Sequence, residues 1–275
     1  MVPWMLIFLT LLHTDNPELD DPKEPVLPEG IVAPLPYSCT ERQEWEWVHD
    51  GVVIGKTSIQ LIAPIEEKKA WTLDARLRWS RQGRSIELRQ LTDFDGTSLK
   101  PIRTRKEQRL GALGIGEKRG IVASEIIGTE ARIVVQDPGA GTQIDRILPF
   151  PEGAVLLENQ CFEHWLLIVA ALNRKEEKEA QPQLTRRFSA LIPSEYRLLE
   201  LTLSRDREEK SGAISASGSG ELTLWRWSIS SSDFEAKIWI GPEGQLERYR
   251  QGPLEIRRIH PAKTTPTSEK KTTAG

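Results

Sequence analysis

Residues 71–79 read Trp71-Thr72-Leu73-Asp74-Ala75-Arg76-Leu77-Arg78-Trp79, with apolar side chains at every odd position and polar ones at every even position. A period of two belongs to a strand whose side chains leave on alternate faces, so one face is predicted to be buried and the other wet. Gln82-Gly83 breaks the run, and Ile86 and Leu88 resume it at the same spacing. Asp93-Phe94-Asp95-Gly96 has the residue types a tight reversal needs, and residues 99–105 are the returning strand. The stretch therefore predicts an antiparallel meander with one solvated side.

The same pattern extends outward. Residues 44–48 and 52–62 predict a hairpin around His49-Asp50-Gly51, with Trp45 and Trp47 on one face. Short β-branched runs at 120–127 and 131–136 are closed by the turn cluster Asp137-Pro138-Gly139-Ala140-Gly141. After Pro151 the period changes. Leu157, Cys161, Trp165, Ile168 and Leu172 recur at three and four residues, which predicts a helix over 153–173 packed on the sheet. Strands resume at 185–191 and 196–204. A charged, Gly/Ser-rich loop is expected over 205–220, a central strand over 221–229, and a last hairpin around Gly241-Pro242-Glu243-Gly244, with a further strand at 254–259. The predicted fold class is mainly β, a curved antiparallel sheet or half-open barrel packed on one central helix.

Beyond this domain, placed at 37–260, the sequence changes character. Residues 2–12 are an apolar run too short to span a bilayer as a helix but of the length of a signal-peptide core. No Lys or Arg precedes it, and His13-Thr14-Asp15-Asn16 follows in place of a small-residue cleavage site. Residues 14–36 carry Pro17, Pro22, Pro25, Pro28, Pro34 and Pro36 among acids, the composition of an extended linker. Residues 1–13 are thus read as a leader, and export to the periplasm or beyond is expected. Residues 261–275 form a Thr/Lys-rich disordered tail.

The formal net charge is −3, from 37 basic and 40 acidic residues, which leaves no basic footprint for a nucleic-acid backbone. The short basic runs at 103–105 and 186–187 read as solvated strand faces. Two cysteines, Cys39 and Cys161, are compatible with one disulfide or with two separate buried thiols.

No catalytic or metal-binding constellation stands out, and no cofactor or integral membrane span is expected. Cys161 and His164 lie three apart, the beginning of a nucleophile or a metal half-site, but no second Cys/His pair completes it, and buried packing is the expected role. His49-Asp50, Asp93 with Asp95, and the glycines of 111–116 read as turn and connection chemistry. The nine tryptophans are the strongest candidates for a site. Trp71, Leu77, Trp79, Trp225 and Trp227 sit on alternating strands and are expected either to form core or to line an apolar pocket on a concave sheet.

The hairpin Asp95-Gly96-Thr97-Ser98-Leu99-Lys100-Pro101, the opening strands over 45–62, the mid-chain helix and the Gly-Pro-Glu-Gly hairpin occur in a characteristic order. This order resembles the DUF3108-type bacterial envelope proteins, an uncharacterised family of exported β-rich domains. It is more distantly similar to the half-open barrels of periplasmic lipoprotein carriers. The resemblance covers residues 45–259 and implies a periplasmic curved sheet around one or two helices, with no known chemistry; the atypical leader is a departure from it. Two functional expectations follow. One is a non-enzymatic envelope protein binding a lipid or other apolar ligand against the five residues named above. The other is a structural or protein-interaction module whose tryptophans are core and whose strand edges recruit an envelope partner.

Overall fold

The computed structural model describes residues 34–37, 39, 41–64, 70–81, 83–112, 116–176, 185–211, 222–232 and 235–260. The leader, most of the 14–36 linker and the tail lie outside the described residues. The first half of the fold is a run of consecutive hairpins: β1 (Gln43–His49), β2 (Val52–Ile62), β3 (Trp71–Arg81), β4 (Arg84–Phe94), β5 (Pro101–Ala112), β6 (Gly116–Ile127), β7 (Glu130–Asp137) and β8 (Thr142–Pro149). A two-residue strand, β9 (Val155–Leu156), then leads into helix α1 (Glu163–Glu176). The second half returns through β10 (Thr185–Ile192), β11 (Arg197–Ser211), β12 (Leu222–Ser230), β13 (Glu235–Ile240), β14 (Leu246–Gln251) and β15 (Leu254–Ile259).

All fifteen strands join one sheet, ordered β8-β7-β6-β5-β4-β3-β2-β1-β15-β14-β13-β12-β11-β10-β9. Two meanders thus meet at a seam in which β1 pairs antiparallel with β15, Trp47 opposite Ile256. Across the seam the Arg257 guanidinium donates to Glu46 Oε2 at 3.0 and 3.2 Å. Among the described residues, only β9 and β10 pair in parallel.

The alternation of β3 behaves as its sequence predicts on one side: Trp71, Leu73, Ala75 and Leu77 enter the main core. On the other side Asp74, expected in water, is fully buried. Arg89 covers it with two hydrogen bonds of 3.1 Å, and Arg76 reaches it at 3.5 Å, so arginine stems rather than solvent enclose the carboxylate. Helix α1 lies inside the curved sheet. Residues 161–170 are buried without exception, so the first two turns of the helix are enclosed on every side and not merely laid on a face. Phe162, just before the helix, meets Trp45 edge-on at 4.6 Å, and Trp165 lies 5.7 Å from Tyr249, tying this segment to β1 on one side of the seam and to β14 on the other.

The helix begins ten residues later than its apolar spacing suggests. Gly153 and Gln160 adopt left-handed backbone (φ 77° and 65°), which no helix passes through. The apolar residues between them are used otherwise: Val155 and Leu156 pair with Ala190 and Leu191, and the Leu157 amide donates to the Leu191 carbonyl at 3.0 Å. Two further expectations are corrected. The proposed loop over 205–220 is strand as far as Ser211, held to β12 by Arg226, which donates to Asp206 at 2.9 Å and Glu209 at 2.7 Å. Its remainder, like the centre of the 111–116 connection, lies outside the described residues; Gly111 and Gly116 belong to β5 and β6.

The sheet does not close edge to edge; it overlaps itself. Ala190 and Val155 pack into the main core, whereas their neighbours Leu191 and Leu156 leave on the opposite face and join a second cluster with Ala131, Ile133, Phe150 and Ala154. Ile133 is on the concave face, since it pairs with Ser124, which pairs with Thr104 and through it with Thr92. The concave face of β7 therefore covers the convex face of β9 and β10. At the opposite side of the seam the N-terminal approach closes the core. Leu35, Tyr37 and Cys39 are buried, and the Leu246 amide donates to the Tyr37 hydroxyl at 2.9 Å. Leu35, at the end of the 14–36 stretch, is thus part of this core.

Candidate functional site

The five tryptophan-set residues do not converge. Trp71, Leu77 and Trp227 are core, each no more than 5% exposed, whereas Trp79 and Trp225 are half-buried. Trp71 pairs with Phe94 and Trp225 with Ile240, beside the Asp95–Leu99 and Gly241–Gly244 turns; Trp79 pairs with Gly55 and Ile86, toward the opposite ends of the strands. The Trp71 indole is seated on Gly96, where an added Cβ would stand 2.5 Å from the ring. The Arg205 guanidinium stacks 3.8 Å from the Trp225 ring centre. At Trp79 there is an open cavity of about 470 Å³ whose lining mixes Ile54, Trp79 and Ile86 with Arg78, Glu87 and Arg109.

What the structure does bring together is a polar cluster inside the barrel. The alternation of β4, β5 and β6 sends Gln90, Thr92, Thr104, Lys106 and Ser124 to the concave face, and all five are buried. They meet the turn that leads into α1. Lys106 Nζ donates to Glu158 Oε1 at 3.3 Å and to the Asn159 carbonyl at 2.7 Å. Glu158 also accepts the Asn159 amide and the Ser194 amide, both at 2.9 Å, so the buried ion pair is closed by backbone donors. Burial, the largest single influence, would lower the Lys106 ammonium, but the acidic groups around it, Glu158 foremost with Cys161 and Glu163, together raise it above its ordinary range.

The two residues singled out by their spacing sit in this cluster without addressing one another. His164 Nδ1 accepts the Glu158 amide at 2.9 Å; the proton is therefore on Nε2, 3.1 Å from the Thr92 hydroxyl. Burial pushes His164 down to about 4, so it is neutral. Cys161 donates to Gln90 Oε1 at 3.3 Å, and burial with Glu163 nearby pushes its thiol well above the ordinary range. Burial likewise pushes Glu163 up to about 8. The thiol keeps its proton and both imidazole nitrogens are engaged elsewhere, so this is not a nucleophile–base pair. Its chemical effect is to fasten the start of α1 to β4 and β5. Among the described residues, no grouping of three or more His, Cys, Asp and Glu side chains could hold a metal ion.

The remaining candidates resolve as local geometry. Cys39 and Cys161 are both buried free thiols. Asp95 Oδ1 accepts the amides of Thr97 and Ser98 at 3.1 and 2.6 Å, organising the turn, while Asp93 accepts Thr72 and Arg103, each at 2.5 Å. His49 Nδ1 lies 2.8 Å from the carboxylate of Asp50, the latter in left-handed backbone at the hairpin tip. The sequence reading misses β8 altogether, because Ile144 and Ile147 are three apart and fall on opposite faces of the strand. With neither face consistently buried, the strand has nothing to impose alternation on its sequence. No described helix is long and apolar enough to cross a membrane.

No protein-family model and no curated protein matches the chain. Among solved structures it is similar to a β-barrel-like protein of a domain of unknown function, DUF1849, from Brucella abortus. The TM-score is 0.50 at 8% sequence identity, covering 79% of this chain and 94% of that one. The likeness is one of fold: a mainly β, barrel-like architecture shared with a protein whose role is itself undescribed.

Proposed function

We propose that this is a non-enzymatic, exported envelope protein whose barrel-like domain serves as a structural or partner-binding module. The observation that carries the reading is the enclosure of α1: residues 161–170 fill the concave side of the sheet, where a carrier would hold its cargo. The commitment of Cys161 and His164 to separate hydrogen bonds supports a role without catalysis. The apolar run at 2–12 and the proline-rich residues after it support export. So does the likeness to DUF3108-type envelope proteins, carried by the hairpins at 95–101 and 241–244. A second reading, an apolar ligand, is favoured by one feature, the half-buried Trp79 beside the open cavity of about 470 Å³.

Native mass spectrometry of protein cross-linked in its own host and purified without detergent separates the two. A polypeptide retained at fixed ratio is the expected result. Added mass that extracts into organic solvent would favour the ligand reading, and a bare chain would overturn the partner-binding one.

A further inference from the structure

Because the sheet rolls past closure, β8 is left as its outer edge, paired to β7 on one side and, among the described residues, to nothing on the other. Sheet edges are ordinarily guarded by brevity, a bulge, a proline or charged side chains, inward-pointing ones included. This one is eight residues long and pairs with β7 in unbroken register from Asp137↔Thr142 to Glu130↔Pro149. Its only proline is at the end. Its two charges, Asp145 and Arg146, are adjacent, exposed and opposite in sign, so they select a partner rather than bar every strand; each also has a contact within the molecule, Arg132 donating to Asp145 from Nε at 3.1 Å and from Nη2, and the Arg146 guanidinium lying 4.6 Å from the Tyr196 ring centre. Flanking these charges the edge presents Ile144, 44% exposed, and Ile147, 62% exposed. On the concave side, continuing the overlap, lies the convex face of β11, where Leu198 is 39% exposed. A strand added to β8 would therefore enter a slot with one wall already built.

We infer that β8 is a docking edge for an extended segment of a different polypeptide, an inference that rests on the partner-binding reading above. A second copy of this chain fits poorly. A two-fold axis relating antiparallel edges keeps concave faces on the same side, so residues can pair only with partners an even number of positions away. The two such registers that pair most of β8 place Asp145 opposite its own copy or Arg146 opposite its own copy, and like charges directly opposite are destabilising. A heterologous strand has no such restriction. Running antiparallel, it meets Ile147, Arg146, Asp145 and Ile144 in that order, so the complementary segment reads apolar, acidic, basic, apolar.

The test is hydrogen–deuterium exchange on the full chain at millimolar peptide, comparing end-blocked TVEKVT with the charge-swapped TVKEVT. TVEKVT is expected to slow exchange in β8, with TVKEVT weaker by about fivefold, the product of two unfavourable cross-strand charge pairs. Ile147→Lys is expected to remove the protection while leaving the rest of the exchange pattern unchanged. Equal protection by both peptides, protection confined to other strands, or none at all would overturn the assignment. A cross-linked species of twice the chain mass, protected at β8, would give the edge to a second copy and overturn it equally. If a host partner is recovered while β8 exchange is unaltered by it, this site is wrong and the partner-binding reading stands.

Discussion

His164 and Glu163 are neighbours in sequence, and burial moves each toward its neutral form, which gives them opposite effects on the pH dependence of folding. His164 takes up its proton near 6.5 when unfolded but only at about 4 when folded. As pH falls from 6.5 to 4 the unfolded chain binds the proton first, and stability is lost. Glu163 releases its proton near 4.5 when unfolded but at about 8 when folded. As pH rises from 4.5 to 8 the unfolded chain gives up the proton first, and stability is again lost. The two slopes oppose one another from 4.5 to 6.5, and each limb beyond that overlap is worth roughly 1.4 kcal/mol per pH unit at most. Urea unfolding midpoints plotted against pH should therefore fall on both sides of a mildly acidic maximum. Glu163→Gln should flatten the alkaline limb and His164→Gln the acid limb; a profile unchanged by either substitution would show that these groups are not held as described.

The strands were the most legible elements because β3 alternates without a fault, and the hairpins around Asp50 and Asp95 announce themselves through turn residues. At the Asp95 turn the geometry allows a direct check. Gly96→Ala would drive a methyl group into the Trp71 ring, whose own neighbours are core, and overpacking of this kind costs about 1–3 kcal/mol. Thermal unfolding should register that loss, whereas Gly128→Ala, with open space around it, should cost only the strain of its left-handed backbone. Other elements were illegible for identifiable reasons. The apolar spacing at 154–161 suits a helix, but β10 supplies pairing for Val155 and Leu156, and tertiary pairing prevails over local period. The interior polar cluster was hidden by the alternation rule itself, which assigns polar residues to water. Lys106 finds Glu158 across 52 positions, a pairing only the fold can make. The tryptophans gave the right strands and the right face, but nothing in their spacing says that a helix already occupies that face.

At the scale of the whole molecule, the fold is two meanders joined along β1 and β15, with α1 enclosed between them and the outermost turn of sheet lying over the return. Glu46 and Arg257, which meet across the join, are 211 residues apart. A chain ending at Gly252 lacks β15 and exposes the facing edges of both β1 and β14. It should unfold without a cooperative transition, and a peptide spanning residues 253–260 supplied in trans should restore one; a cooperative transition in the truncated chain alone would count against the join as the organising contact. The order of synthesis gives this arrangement a further meaning. On the ribosome the domain's first strand waits for its last, so the nascent chain can form hairpins in sequence but cannot unite the two halves of the domain until β15 has emerged. Completion of the domain is therefore a late event with the slow kinetics of long-range strand pairing, and until then the domain remains an unfinished sheet with two raw margins, in need of protection from its neighbours.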